Sequence, residues 1–127
     1  MNRHDPELIK VITDFLEQGF ADSIAAMFRK DPSLYSVIGE LLRDERFAVR
    51  MGTAVLFEEL VETRPEEVRQ AIPHLKPLLA DDIPWVRGEA AHILGIIGTS
   101  QALSLLEPML SDPDHQVREI AADFLNQ

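Results

Sequence analysis

The side chains in this sequence that could do chemistry are 22 Asp and Glu, four His and scattered Ser, with no Cys. Hydrolysis by paired carboxylates needs two acids converging in a closed pocket. The acids here recur instead at predicted turns and on exposed helix faces. Nucleophilic catalysis needs a hydroxyl or thiol beside a base. Ser23, Ser33, Ser36, Ser100, Ser104 and Ser111 have no base at an informative spacing, and there is no Gly-rich phosphate loop. His74 and His92 fall on different predicted helices, and His4 and His115 lie near helix starts at opposite ends of the sequence. That arrangement predicts no metal site, and with no cofactor motif the sequence reads as a non-enzyme.

One pattern of charged residues does recur. Asp is followed six residues later by Arg at Asp44 and Arg50, at Asp81 and Arg87, and at Asp112 and Arg118. The pairs belong to a longer repeat, in which Pro77 to Leu94 returns thirty-one residues on as Pro108 to Leu125. Leu79 matches Leu110, Val86 matches Val117, Ala90 matches Ala121 and Ala91 matches Ala122. A looser copy thirty-seven residues upstream places Leu42, Val49 and Ala54 in the same register. A period of this length predicts stacked helical pairs, because one short pair cannot bury its apolar face alone. Val86, Ala90, Ile93, Leu94 and Ile97 share one helical face, and Ala71, Leu75, Leu78 and Leu79 form a stripe on the helix before it. The recurring Asp sits in the turn between them, where a carboxylate can accept N–H groups left open at the start of the second helix.

The string Leu-x-Asp, four residues, Val-Arg, two residues, Ala-Ala, two residues, Leu resembles the HEAT-like repeat of the phycobilisome lyase type. The match is clear over 71–127, looser over 36–64 and minimal over 1–35. The resemblance implies an all-α fold, a short right-handed α-α superhelix of about eight helices in antiparallel pairs. It implies one domain over 1–127, with 1–35 as a degenerate N-terminal cap and repeats over 36–70, 71–99 and 100–127. It also implies a ladder between units formed by Asp44, Asp81 and Asp112 with Arg50, Arg87 and Arg118. Second helices line the concave side in that family, whose usual role is to present a curved surface to another protein. Repeat-built metal oxygenases of the deoxyhypusine hydroxylase type are similar in fold but use His-Glu pairs. No His here is followed by Glu, so iron is not expected.

Positions that vary between copies are free to serve a partner. On the second helices these are Trp85, Glu89, His92 and Ile96, aligned with Ala48, Gly52, Val55 and Glu59 upstream and with Gln116, Ile120, Asp123 and Gln127 downstream. The columns predict a concave groove with an apolar centre and acidic edges. Trp85, Val55 and Ile120 would meet apolar side chains of a bound protein segment, with Glu59, Glu89 and Asp123 meeting its Lys or Arg and His92 lying between. Trp85 reads either as the anchor of such a segment or as a cover over Ile83 and Pro84. The function expected is a non-catalytic scaffold or adaptor. The family resemblance supplies an alternative, a bilin lyase-like subunit.

Net charge is −10, and residues 77–127 carry eight acids against two Arg. That opposes nucleic acid, whose binders cluster Lys and Arg along phosphates. Apolar runs are too short for a membrane span. The charged start at Met1 to Lys10 lacks the apolar stretch of a secretory signal, and the absence of Cys suits the cytoplasm. An acidic elbow is expected from Glu58 to Glu67, broken at Arg64-Pro65. Pro73, Pro77 and Pro108 should bend the first helices. Ile120 and Phe124 are expected on an uncovered C-terminal flank, open to a homodimer or made polar by Asp123, Asn126 and Gln127.

Overall fold

The computed structural model describes residues 4–126, so Gln127 and the first three residues of the predicted start lie outside it. Among the described residues the chain is an all-α solenoid with no strand. Helices α1 (Pro6–Glu17) and α2 (Ala21–Lys30) come first and pack against each other and against the helix Phe47–Thr63. Asp5 accepts from Glu7 N–H at 2.8 Å with Pro6 in the first turn, and Gly19 closes the helix at φ 90°, a conformation open to glycine.

Three helical pairs follow. Their second helices are α4 (Phe47–Thr63), α6 (Pro84–Ile97) and α8 (His115–Leu125), which pack in order α4 on α6 and α6 on α8. Their first helices are α3 (Ile38–Leu42), α5 (Ile72–Leu75) and α7 (Ser100–Leu106), each extended by 3₁₀ turns. Those turns run over Pro32–Val37 before α3, over Glu67–Ala71 and Lys76–Ala80 around α5, and over Glu107–Ser111 after α7. Pro77 and Pro108 open the closing 3₁₀ segments. Proline lacks the N–H for an i→i−4 bond and crowds the carbonyl of residue i−4, so the chain tightens to three residues per turn rather than simply bending.

The core follows the apolar stripes. Leu34, Val37, Ile38, Leu41 and Leu42 are buried, as are Val86, Ala90, Ile93, Leu94 and Ile97. Phe15 has the spacing of an inward residue from Ile12 and Leu16, yet it is exposed and meets Phe20 edge on at 5.9 Å. The acidic elbow is mostly helix: α4 continues to Thr63, and only Arg64 to Glu66 form the turn. The helix from His115 has Asp114 at its N-cap position with no side-chain cap bond.

Close approach between second helices depends on two glycines of α6. A Cβ on Gly95 would lie 2.3 Å from the Phe124 ring, and one on Gly88 would meet Ile120 Cδ1 at 3.3 Å. Ile120 and Phe124 therefore face back onto α6, which corrects their placement on an uncovered flank. Gly95→Ala is expected to cost about 1–2 kcal/mol despite alanine's better helix propensity, because the ring must leave its seat. Gly88→Ala meets only the mobile end of an isoleucine and should be near neutral. Urea midpoints of the two variants check this, and equal midpoints would count against the ring's seat on α6.

Candidate functional site

Each ladder aspartate accepts the N–H two residues on, just before the second helix begins. Asp44 takes Arg46 N–H at 2.9 Å, Asp81 takes Ile83 N–H at 2.9 Å and Asp112 takes Asp114 N–H at 2.8 Å. Each ladder arginine turns one nitrogen, Nη1, back onto its own turn. Arg50 donates to the carbonyl of Asp44 at 2.8 Å, Arg87 to that of Asp81 at 2.8 Å and Arg118 to that of Asp112 at 2.7 Å.

The rungs between units are less uniform than the resemblance implies. Arg87 reaches Asp112 with two bonds of 2.9 and 3.0 Å. Arg50 donates to Glu89 at 2.9 Å instead of Asp81, whose carboxylate is held by Arg43 at 2.8 Å. Asp44 is held by Arg46, which also reaches Asp14 at 2.9 Å and Glu17 at 3.1 Å on α1. These contacts keep the carboxyls ionised. Asp112 lies below the usual carboxylate range chiefly through Arg87, Asp44 through Arg46, and Asp81 through the Ile83 N–H and then Arg43.

The columns predicted for the groove divide in two. Gly52, Glu89 and Ile120 face the preceding helix: Gly52 lies under Leu16 of α1, Glu89 meets Arg50 of α4, and Ile120 lies on Gly88 of α6. Glu59 is drawn away from the groove by Arg29 of α2, at 2.9 Å. Val55, His92 and Asp123 occupy the open side, with Val55 and Asp123 exposed and His92 half-buried. The Trp85 ring is 37% exposed and lies 4.2 Å from the Arg50 guanidinium, which also sits 5.6 Å from the Phe47 ring. Trp85 thus covers an arginine rather than Ile83 or Pro84, and Ile83 remains 42% exposed.

Across α4, α6 and α8 these placements leave a groove of about 430 Å³. Phe47 and Met51 of α4 form one wall, Ile120, Asp123 and Phe124 of α8 the other, and Glu89 and His92 of α6 line it between them. The His92 and Phe124 rings are 5.8 Å apart. Trp85, Glu89 and Ile120 also line a smaller depression of about 160 Å³ beside Pro84. Val55 lies outside the groove lining and extends its α4 wall, since Phe47, Met51 and Val55 follow at intervals of four and all are exposed. Phe47, Met51 and Phe124 were missed by comparison of the copies. Gly88 and Gly95, seven apart on α6, were the available signal for a close helix and an aromatic seat.

Among the described residues no three His, Asp or Glu side chains gather as a metal site would need, and no helix is long and apolar enough to cross a membrane. A profile of HEAT repeats matches residues 53–126. Deoxyhypusine hydroxylase of Eremothecium gossypii is 44% identical over 57 residues, which cover 43% of this chain. The chain spans 18% of that relative's length. No solved structure matches.

Proposed function

Since the chain belongs to the HEAT-repeat family, we propose that it is a cytoplasmic, non-catalytic interaction module whose groove across α4, α6 and α8 holds a protein segment with apolar and basic side chains. The observation that carries this reading is the grouping of Phe47, 63% exposed, and Met51, 52% exposed, opposite Ile120 and Phe124. Large apolar side chains gathered in the open mark interaction surfaces. Glu89 is committed to Arg50, so Asp123 is the carboxylate left for an incoming Lys or Arg. Trp85 acts as a wall that keeps Arg50 in place.

A displayed library of random peptides tests the reading. Bound peptides should be enriched in aliphatic or aromatic residues together with Lys or Arg, and should lose binding at least tenfold on Met51→Glu. Met51 is exposed, so this change leaves the core intact. Retention of the same peptides by Met51→Glu would place binding elsewhere.

The repeat motif supports a second role, as an accessory of a bilin lyase, which visible absorption on mixing with a bilin would reveal. Hydroxylation is the activity in the name of the Eremothecium gossypii relative, and it is not the activity proposed here. The shared segment is a small part of that protein, and among the described residues no three His, Asp or Glu side chains gather.

A further inference from the structure

The groove across α4, α6 and α8 has short walls. Phe47 and Met51 are one turn apart on α4, as are Ile120 and Phe124 on α8, so each wall spans about 6 Å of helix axis. Val55 adds one more turn on the α4 side. A ligand must therefore gather several large side chains into a short length. An extended chain sets side chains of one face about 7 Å apart, so about two reach a site of this size. A helix sets residues i, i+3, i+4 and i+7 on one face within about 10 Å.

The lining also gives an extended backbone little to bond. Its floor is the middle of α6, where N–H and C=O groups are already paired within the helix. Glu89 is taken by Arg50, which leaves His92 and Asp123 as the polar side chains. A strand laid over Phe47, Met51 and Phe124 would lose water from its backbone groups without replacing those bonds. A helix brings its own. Charge continues the same face: along α4, Phe47, Met51, Val55, Glu58 and Glu62 fall within about 80° of one another at 100° per residue, and all are exposed. Among the described residues neither Glu58 nor Glu62 forms an ion pair, and Arg29 goes to Glu59 instead, at 2.9 Å. The stripe is thus apolar over its first half and acidic over its second.

On the reading that the groove holds a protein segment, we propose that this segment is an amphipathic helix lying lengthwise over α6. Its apolar face sits between Phe47, Met51 and Phe124, and its Lys or Arg side chains lie beside Asp123, Glu58 and Glu62. From Phe47 to Glu62 is fifteen residues, or about 22 Å, so a helix of about four turns covers the stripe. Its basic residues belong on the flank facing Asp123 and toward the end beside Glu62.

Two displayed peptide libraries of equal composition, screened against the full chain, test this. One places apolar residues at i, i+3, i+4 and i+7, the other at alternate positions, with Lys among the remaining residues of both. Binders should come from the first, and replacing a central residue of the peptide by proline, which breaks a helix, should weaken them at least tenfold. Glu58→Lys with Glu62→Lys should weaken the same peptides at least fivefold at about 0.05 M salt and less at about 0.5 M, since exposed charges are screened. Both glutamates are exposed, and unchanged far-ultraviolet circular dichroism checks the fold. Binders that alternate and tolerate proline, yet are lost on Met51→Glu, overturn the helix and leave the groove standing. Affinity unchanged by Glu58→Lys with Glu62→Lys overturns its placement along α4. Binders indifferent to Met51→Glu, or no binders at all, overturn the groove itself and the helix with it.

Discussion

Tyr35→Ala should cost about 3–5 kcal/mol, the range for removing a large buried aromatic side chain, and lower the melting temperature by roughly 10–20 °C for a domain of this size. Tyr35 is 1% exposed and meets Phe28 at 5.2 Å and Phe57 at 6.0 Å, both edge to face. Phe28 belongs to α2 and Phe57 to α4, so the ring joins α2 to the first helical pair. Tyr35→Phe keeps both contacts and should cost less than about 1 kcal/mol. The hydroxyl has a separate signature in alkali. Burial, followed by the charge of Glu67, pushes its pKa up to about 12. A pKa raised in the folded state contributes stability below the unfolded value near 10 and loses it as pH climbs toward 12. Denaturation between pH 9 and 12 should therefore weaken the wild type more than Tyr35→Phe. Parallel pH profiles for the two would count against the buried phenol.

Arg87→Ala ranks next, at about 2–4 kcal/mol. It removes two bonds to Asp112 and two to the turn carbonyls of Asp81 and Asp82. Side-chain exposure is 14% for Arg87 and 5% for Asp112, so the carboxylate left behind is poorly hydrated. Lysine should recover little, since an ammonium cannot hold a carboxylate and two carbonyls in the planar geometry of a guanidinium. Arg87→Met with Asp112→Asn should recover more than half of the loss. The asparagine can still accept Asp114 N–H, and no unpaired charge remains. The pair also sets an acid dependence. The Asp112 carboxyl is lowered chiefly by Arg87, so its contribution is present above the unfolded pKa near 3.9 and is lost as pH falls through the lower folded value. Urea midpoints from pH 6 to 2 should fall further for the wild type than for the double variant.

Burial was readable from spacing alone wherever a helix has one apolar face. Val86, Ala90, Ile93, Leu94 and Ile97 needed only the 3.6-residue period to be placed inside. Contacts between neighbouring second helices were harder to read. A helix in the middle of a layer has neighbours on both sides, so a variable column can be packing as easily as open surface. Gly52, Glu89 and Ile120 vary because each meets a different predecessor: a backbone, an arginine and a glycine. Trp85 shows the same effect, since its partner Arg50 lies thirty-five residues away on another helix. The 3₁₀ turns were hidden for a different reason. Proline forbids one hydrogen bond, but spacing does not show whether the chain then bends or tightens.

The position of α4 between α1 and α2 on one side and α6 on the other makes the chain unequally firm along its length. Helix α4 is supported by α1, α2, α3 and α6, whereas α8 rests on α6 and on the first helix of its own pair. In a stack held by nearest-neighbour contacts, a helix with fewer packed neighbours opens at lower free energy. Amide hydrogens of α8 should therefore exchange before those of α4. Each such opening removes Ile120 and Phe124 and with them one wall of the groove. The site is then a local equilibrium as much as a shape, and anything that steadies α8 raises the fraction of time the groove exists.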